Sequence, residues 1–272
     1  MAESNFLSLD SKFSIVLGGL GLFGKAVVKE LLRVHSEVLI LDIDKKAFDN
    51  FSLELEKEGL SCKFEYFDVA DLEESEILLE KIISKYDVPD FFINTSYPRT
   101  KNWIKSSFSE ITWNTFIENL NIQLGSSVWT AKLFADRMVR AQKKGSIVLT
   151  SSIYGKRAQD MSIYEGTNLR ENVTYPVIKA GINNFVRQAA AYYGKYNVRV
   201  NAVSPGGVEE NPIAGSKEEP DETFKTNYIS KTPLKRMTEP LDVANAVVFL
   251  CSENSSYITG HILNVDGGIS SV

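Results

Sequence analysis

Cysteine and histidine are scarce in this 272-residue chain, with two of each. Cys62 and Cys251 stand alone, with no second thiol or histidine at metal-ligand spacing, which argues against a zinc site or a disulfide framework and predicts two buried thiols. No metal is expected. His35 and His261 have no partner motif and read as surface or packing residues. Long apolar runs are missing too: none approaches the roughly 18 to 20 residues of a membrane helix, and 1–10 lacks the charged-then-apolar profile of a signal peptide. A soluble, cytoplasmic protein without a membrane partner is expected. Nor is there an excess of basic charge. Thirty Lys and Arg against 35 Asp and Glu give a net charge of −5, which argues against a broad electrostatic grip on nucleic acid. What remains is an ordinary globular composition, 43% hydrophobic and 24% charged.

Within that composition, strand-like and helix-like segments alternate. Short apolar runs rich in β-branched and aromatic residues, bordered by polar or turn residues, predict strands at 13–17, 38–41, 63–67, 91–93, 147–149, 198–203 and 262–265. Helical spacing marks 24–34, 45–58, 72–86, 109–140, 175–193 and 240–251. Parallel neighbours need crossover connections, usually helices, so the alternation predicts an α/β, Rossmann-like doubly wound parallel sheet of about seven strands with helices on both faces. The uninterrupted apolarity of the strands agrees, because such a sheet is buried on both sides. No linker, repeat or charge block divides the chain, and a single domain over 1–272 is expected. Two polar insertions break the regularity. They are 156–174, read as a substrate loop, and 207–231, read as a flexible substrate lid, since long loops in a compact domain are more often functional than not.

The first predicted strand runs into Gly18-Gly19-Leu20-Gly21-Leu22-Phe23-Gly24, which contains GxGxxG at Gly19, Gly21 and Gly24 and leads into a helix. Glycine lets the chain turn sharply, lets a pyrophosphate approach the backbone and lets helix pack on strand, while the helix start offers unpaired N–H groups to the anion. The motif alone is weak, but strand before and helix after make it a dinucleotide site. Asp42 ends the second strand where such a unit places the acid that holds the adenosine ribose hydroxyls. A carboxylate there repels a 2′-phosphate, and no Lys or Arg stands in the loop or at 43. NAD(H) is therefore favoured over NADP(H). Asp68 follows the third strand and is placed to bind the adenine amino group.

Tyr175 and Lys179 lie four residues apart at the start of a predicted helix, on one face. A phenol is a poor base at neutral pH, and a neighbouring ammonium lowers its pKa by favouring the phenolate. Ser152, just past the fifth strand at the carboxyl edge of the sheet, can hydrogen-bond the oxygen with which Tyr175 exchanges a proton.

These residues resemble, in order and over 13–268, the pattern of the short-chain dehydrogenase/reductases. The resemblance rests on the glycine loop, Asp68-Val69, Asn94, Ser152, Tyr175-Pro-Val-Ile-Lys179, Asn201-Ala-Val-Ser-Pro205-Gly206, Tyr257-Ile-Thr-Gly260 and Val265-Asp-Gly-Gly268. It implies an oxidoreductase in which Tyr175 is the general acid/base, Lys179 tunes it and holds the nicotinamide ribose, and Ser152 orients the substrate oxygen. It also implies an NAD site made of Gly18, Gly21, Leu22, Phe23, Gly24, Asp42, Asp68, Val69, Asn94, Thr95, Tyr175, Lys179, Pro205, Gly206 and Val208. Ser-Ser-Ile-Tyr-Gly at 151–155, the long loop before Tyr175 and the stretch around it resemble the PtmA-like branch linked to flagellin modification and bacterial surface sugars. Homotetramers are common in the family, through the two long helices and the 257–268 segment; a homodimer is the other expectation.

The chain departs from the family pattern in places. Leu17 replaces a threonine and Leu22 a glycine of the loop, the family's Asn-Asn-Ala-Gly becomes Asn94-Thr95-Ser96-Tyr97, and the threonine after Pro205-Gly206 is missing. The family's helical Asn corresponds to Asn121 by type and to Gln123 by ungapped alignment. The interval from Ser152 to Tyr175 is longer than the family's, which makes Tyr164 a rival tyrosine, but Asn168 stands where its lysine is required. Arg99, Lys101 and Arg157 place cationic groups around the predicted cleft, which suits a polar small-molecule substrate such as a sugar or its acid or phosphate; Tyr97, Arg99, Tyr154 and Arg170 are the expected substrate contacts. An NAD-dependent dehydratase or epimerase using Glu165 or Glu171, and a non-catalytic NAD-binding protein, are the alternatives.

Overall fold

The structure, a computed structural model, describes residues 7–208 and 221–272. Its centre is a seven-stranded sheet, all parallel: β1 (Phe13–Leu17), β2 (Glu37–Asp42), β3 (Lys63–Tyr66), β4 (Phe91–Asn94), β5 (Gly145–Thr150), β6 (Val198–Pro205) and β7 (Ile262–Val265). The spatial order is β3-β2-β1-β4-β5-β6-β7. The order reverses between β1 and β4, so their carboxyl ends splay the connections apart and open a crevice there. In register, Leu17 sits between Leu41 of β2 and Asn94 of β4.

Side chains on a strand alternate between faces, and two separate cores follow. Ile15, Leu17, Leu39, Leu41, Phe92, Ile147 and Leu149 meet helices α3 (Leu72–Tyr86), α5 (Ser126–Arg140) and α6 (Thr174–Tyr193) on one face. Val16, Val38, Ile40, Phe91, Ile93 and Val148 meet α1 (Leu22–Arg33), α2 (Lys45–Lys57) and α8 (Pro240–Cys251) on the other. Both expected layers of the doubly wound fold are present. Cys251 is buried in the second core and Cys62 is half-buried at its edge, and burial lifts both thiols, to about 12 and about 11.

The structure corrects two expectations. The helix expected over 109–140 begins only at α4 (Trp113–Asn119), capped by the Thr112 hydroxyl, and is interrupted by a π-helical turn, Leu120–Gly125, before α5. Ser126 Oγ donates back to the carbonyls of Ile122 and Gln123, which occupies backbone acceptors at the wide turn. The segment read as a flexible lid is not all loop: Glu222–Lys231 forms a helix, α7, whose first N–H groups are capped by Asp221 at 3.0 Å. Positions 209–220 of that reading lie outside the described residues.

Helix α7 packs on the loop before Tyr175. Ile153, Ile163, Tyr228, Met237 and Ile269 form a third apolar cluster, with Tyr164 edge-on to Phe224 at 5.5 Å. Asn227 donates to the carbonyls of Ile163 and Glu165, and Lys231 pairs with Asp160 at 3.0 Å. Insertion and helix therefore form one packed unit over the carboxyl edge of the sheet.

Candidate active site

A cleft of about 1200 Å³ runs along that edge, from the glycine loop past Tyr175 to the insertion. At one end Gly18 has φ +75°, a conformation that L side chains rarely adopt, and a Cβ there would lie 2.5 Å from the Ser96 backbone. A Cβ on Gly24 would come within 2.2 Å of the Gly18 carbonyl, so Gly24 allows α1 to seat against the loop; it is not on the cleft wall. Thr95 Oγ1 donates to the carbonyls of Leu17 and Gly18, which ties the loop to β4. Helix α1 starts at Leu22 after Gly21, with no side-chain cap and no acid in its first turn. Its first N–H groups are thus left for an anionic ligand.

Asp42 stands beside this loop. Its carboxylate accepts from Leu20 N at 3.1 Å and from Ile43 N at 2.8 Å, which fixes it at the cleft wall with further lone pairs to offer. Asp68 and the buried Val69 line the next stretch, the Asp68 carboxylate accepting from Ala70 N at 2.8 Å. Pro205, Gly206 and Val208 line the far wall, where Val208 bridges to Thr238 and Gly207 N donates to the Tyr228 hydroxyl at 2.6 Å. Asn94 is behind the wall: its Oδ1 accepts from the Ser96 N–H and hydroxyl, while its Nδ2 is buried without a partner among the described residues. The loop, the uncapped helix start and Asp42 together fit a dinucleotide.

Ser152, Tyr175 and Lys179 converge in the middle of the cleft. Tyr175 is positioned through its own backbone: Asn172 Oδ1 accepts from the N–H groups of Thr174 and Tyr175, and Asn172 N donates to Gln159 Oε1. The neighbouring Thr174 is bonded by Asn119 Nδ2 at 3.2 Å. Lys179 is buried, donates to the Thr150 carbonyl at 2.9 Å, and has the rings of Tyr175 and Tyr97 at 5.5 and 5.6 Å from its Nζ. Burial pulls its pKa down to about 8. Burial also raises the Tyr175 phenol above its ordinary value, against a downward pull from the Ser152 hydrogen bond and a smaller one from Arg99. Lys179, the cation to which the spacing argument assigned this tuning, is not among the groups that move the phenol; Arg99 is the cation that does.

Aromatic rings enclose Tyr175: Tyr97 at 5.9 Å, Trp103 at 6.2 Å and Tyr154 at 6.4 Å, all edge-on. The Tyr154 hydroxyl finds no partner by hydrogen-bond geometry, although Tyr164 is close enough for its hydroxyl to influence it. Tyr164 also lines the cleft, but its hydroxyl accepts from Gln159 Nε2 at 2.7 Å, whereas the buried lysine is beside Tyr175. Of the expected cations, Arg99 and Arg170 reach the wall. Arg170 is exposed at the rim and paired with Glu110 at 3.4 Å. Lys101 is exposed off the wall, and Arg157 turns away to donate to the Ile269 carbonyl at 2.6 Å. In the π-helical turn Asn121 is exposed and Gln123 buried, its Nε2 unpartnered. Asn172 was expected at the mouth of the cleft with the rest of the insertion, whereas Gln159 and Asn119 escaped the sequence reading, because a loop or helix amide carries no periodic signal.

Comparison with known proteins identifies the family and the fold. A family model described as Enoyl-(Acyl carrier protein) reductase matches residues 22–270. Post-translational flagellin modification protein A of Campylobacter coli is 31% identical, over 96% of this chain and 98% of its own length. The 7alpha-hydroxysteroid dehydrogenase of Paraclostridium sordellii is 32% identical, over 96% and 92%. The solved short-chain dehydrogenase of Leptospira borgpetersenii serovar Hardjo-bovis, with bound NAD+, superposes with a TM-score of 0.83 at 30% identity, covering 99% of this chain and 97% of that one. The fold and cleft are those of a nicotinamide-dependent oxidoreductase acting on small molecules. The chain belongs to the short-chain dehydrogenase/reductase family.

Among the described residues no helix is long and apolar enough to cross a membrane, and no group of three or more His, Cys, Asp or Glu could hold a metal ion.

Proposed function

We propose that this protein is an NAD(H)-dependent oxidoreductase acting on a hydroxyl or ketone of a polar, sugar-derived substrate in bacterial surface-glycan synthesis. The observation that carries the reading is the meeting of Ser152, Tyr175 and Lys179 in the cleft that begins at the glycine loop. Bound nicotinamide supplies the hydride acceptor or donor. Ser152 holds the substrate oxygen, and Tyr175 takes its proton in oxidation or returns one in reduction. Lys179, fixed by the Thr150 carbonyl, presents donors to the ribose side.

Preference for NAD is supported by charge. Among the described residues the cleft wall at the glycine-loop end carries Asp42, Asp44 and Asp68 and no Lys or Arg, and Ile43 fills the position where a cation would meet a 2′-phosphate. The 31% identity to a flagellin modification protein supports a glycan-related role. Exposed Trp129 on α5, Tyr192 on α6 and Tyr257 support assembly into a homotetramer or homodimer through those faces. A sugar dehydratase or epimerase is the second reading, favoured by Glu171, which lines the cleft and adds a smaller upward push to the rise that burial imposes on the Tyr164 phenol.

A screen of sugars and nucleotide sugars, read by the absorbance of reduced nicotinamide, tests this. Tyr175→Phe is expected to lower kcat/KM by roughly 10²- to 10⁴-fold with NADH affinity kept, and Tyr164→Phe to leave turnover largely intact. The reverse result would assign the chemistry to Tyr164. Product formed without net cofactor redox would favour the dehydratase or epimerase.

A further inference from the structure

We propose that Arg99 binds an anionic group, carboxylate or phosphate, carried by the substrate close to the carbon whose oxygen exchanges a proton with Tyr175. This rests on the oxidoreductase reading and narrows its substrate to acidic sugars or sugar phosphates.

Arg99 lies on the connection after β4, half-buried in the cleft wall. Its guanidinium carbon sits 4.8 Å from the centre of the Tyr97 ring, and Tyr97 in turn meets Tyr175 edge-on at 5.9 Å. The cation is therefore one ring away from the proposed acid/base. Burial pulls the Arg99 pKa down, and the groups that pull it back up are the phenols of Tyr97 and Tyr175; among the described residues no carboxylate does so. Nor does any described residue hydrogen-bond or pair with it beyond that ring contact.

The surrounding polar groups are otherwise engaged. Arg170 has Glu110, Lys179 has the Thr150 carbonyl, and Glu171 accepts from Phe108 N at 2.9 Å. Arg99 stays charged, because a guanidinium does not deprotonate in proteins. A partly dehydrated charge without a counter-charge is unfavourable. A ligand that brings the counter-charge relieves it. Stacking on Tyr97 orients the planar fork, which suits two parallel hydrogen bonds to one carboxylate or phosphate. The rings of Tyr97, Trp103 and Tyr154 would cover the apolar face of the same sugar.

The test is calorimetric titration of NADH-loaded protein with uronates, aldonates and hexose phosphates, each beside its neutral counterpart. At least one acidic member should bind at least about 10-fold more tightly than its neutral counterpart, with carboxylate and phosphate series showing which anion fits. Arg99→Gln should abolish that preference, a loss of roughly 10- to 100-fold for the acidic member, while NADH affinity is unchanged; Arg99→Lys should restore part of it. Equal binding of neutral and acidic members, binding by none of the acidic members, or a preference that survives Arg99→Gln each overturns the assignment. The two readings fail separately. Turnover of sugars with no preference for any acidic member over its neutral counterpart would remove the anion site and keep the oxidoreductase. Acidic members that bind through Arg99, with no cofactor redox by any sugar, would keep the anion site and remove the oxidoreductase.

Discussion

Replacing Lys179 by methionine should change how stability depends on pH, by an amount the structure sets. Lys179 is 5% exposed and, among the described residues, its ammonium bonds only the Thr150 carbonyl and has no carboxylate beside it to support its charge. Burial lowers its pKa from 10.5 to about 8, which corresponds to about 3 kcal/mol of preference for the neutral form in the folded state. Below pH 8 the lysine is charged in both states and the full penalty acts. Between pH 8 and 10.5 the folded protein has released the proton that the unfolded chain still holds, so unfolding takes up a proton and stability rises with pH. Above 10.5 the penalty is gone. Urea unfolding of nucleotide-free protein from pH 7 to 11, followed by tryptophan fluorescence, should show the wild type gaining about 3 kcal/mol relative to Lys179→Met across that window. The lost bond to Thr150 offsets both ends of the comparison alike. Parallel pH profiles of the two proteins would refute the reasoning, because they would mean that Lys179 is not held in a dehydrated site.

Two further outcomes follow from the cleft and the core. The double variant Asp42→Ala with Ile43→Arg should reverse nucleotide preference towards NADPH by about 10-fold or more, because a charge-assisted hydrogen bond to the 2′-phosphate forms and a repulsion disappears; unchanged preference in a fluorescence titration would displace Asp42 from the ribose. Phe134→Ala should cost about 3 to 5 kcal/mol in urea unfolding, since Phe134 is fully buried and stacked on Phe92 with ring centres 4.0 Å apart. A loss under about 1 kcal/mol would mean that the core refills the space.

The strands were legible because a sheet covered on both faces writes itself as continuous apolar runs: 13–17 and 262–265 emerge with the predicted bounds, and 240–251 does so as a helix. Helix α7 was not. Phe224, Tyr228 and Ile229 face a patch supplied by Ile153 and Ile163, far away in sequence, so its local polarity reads as loop. The π-helical turn escaped for a related reason, being marked by a serine back-bond and by Leu124 packed against Gly181, neither of which alters hydrophobic period. At the site, Tyr175 and Lys179 were legible from spacing on one helix face. Of the cations Arg99, Lys101 and Arg157, sequence put all three around the cleft and chose Arg99 as a contact; the structure keeps Arg99 in the wall, while Lys101 lies off it and Arg157 is taken by the Ile269 carbonyl.

The apolar cluster of Ile153, Ile163, Tyr228, Met237 and Ile269 has a mechanical meaning. It joins the stretches 153–163 and 228–237 and the residue Ile269, starting at the residue next to Ser152, so the serine, the loop before Tyr175 and α7 share one apolar support. Met237, remote from the chemistry, thus helps hold the wall beside Ser152 in place, and the shape of the cleft there depends on a residue that never meets the substrate oxygen.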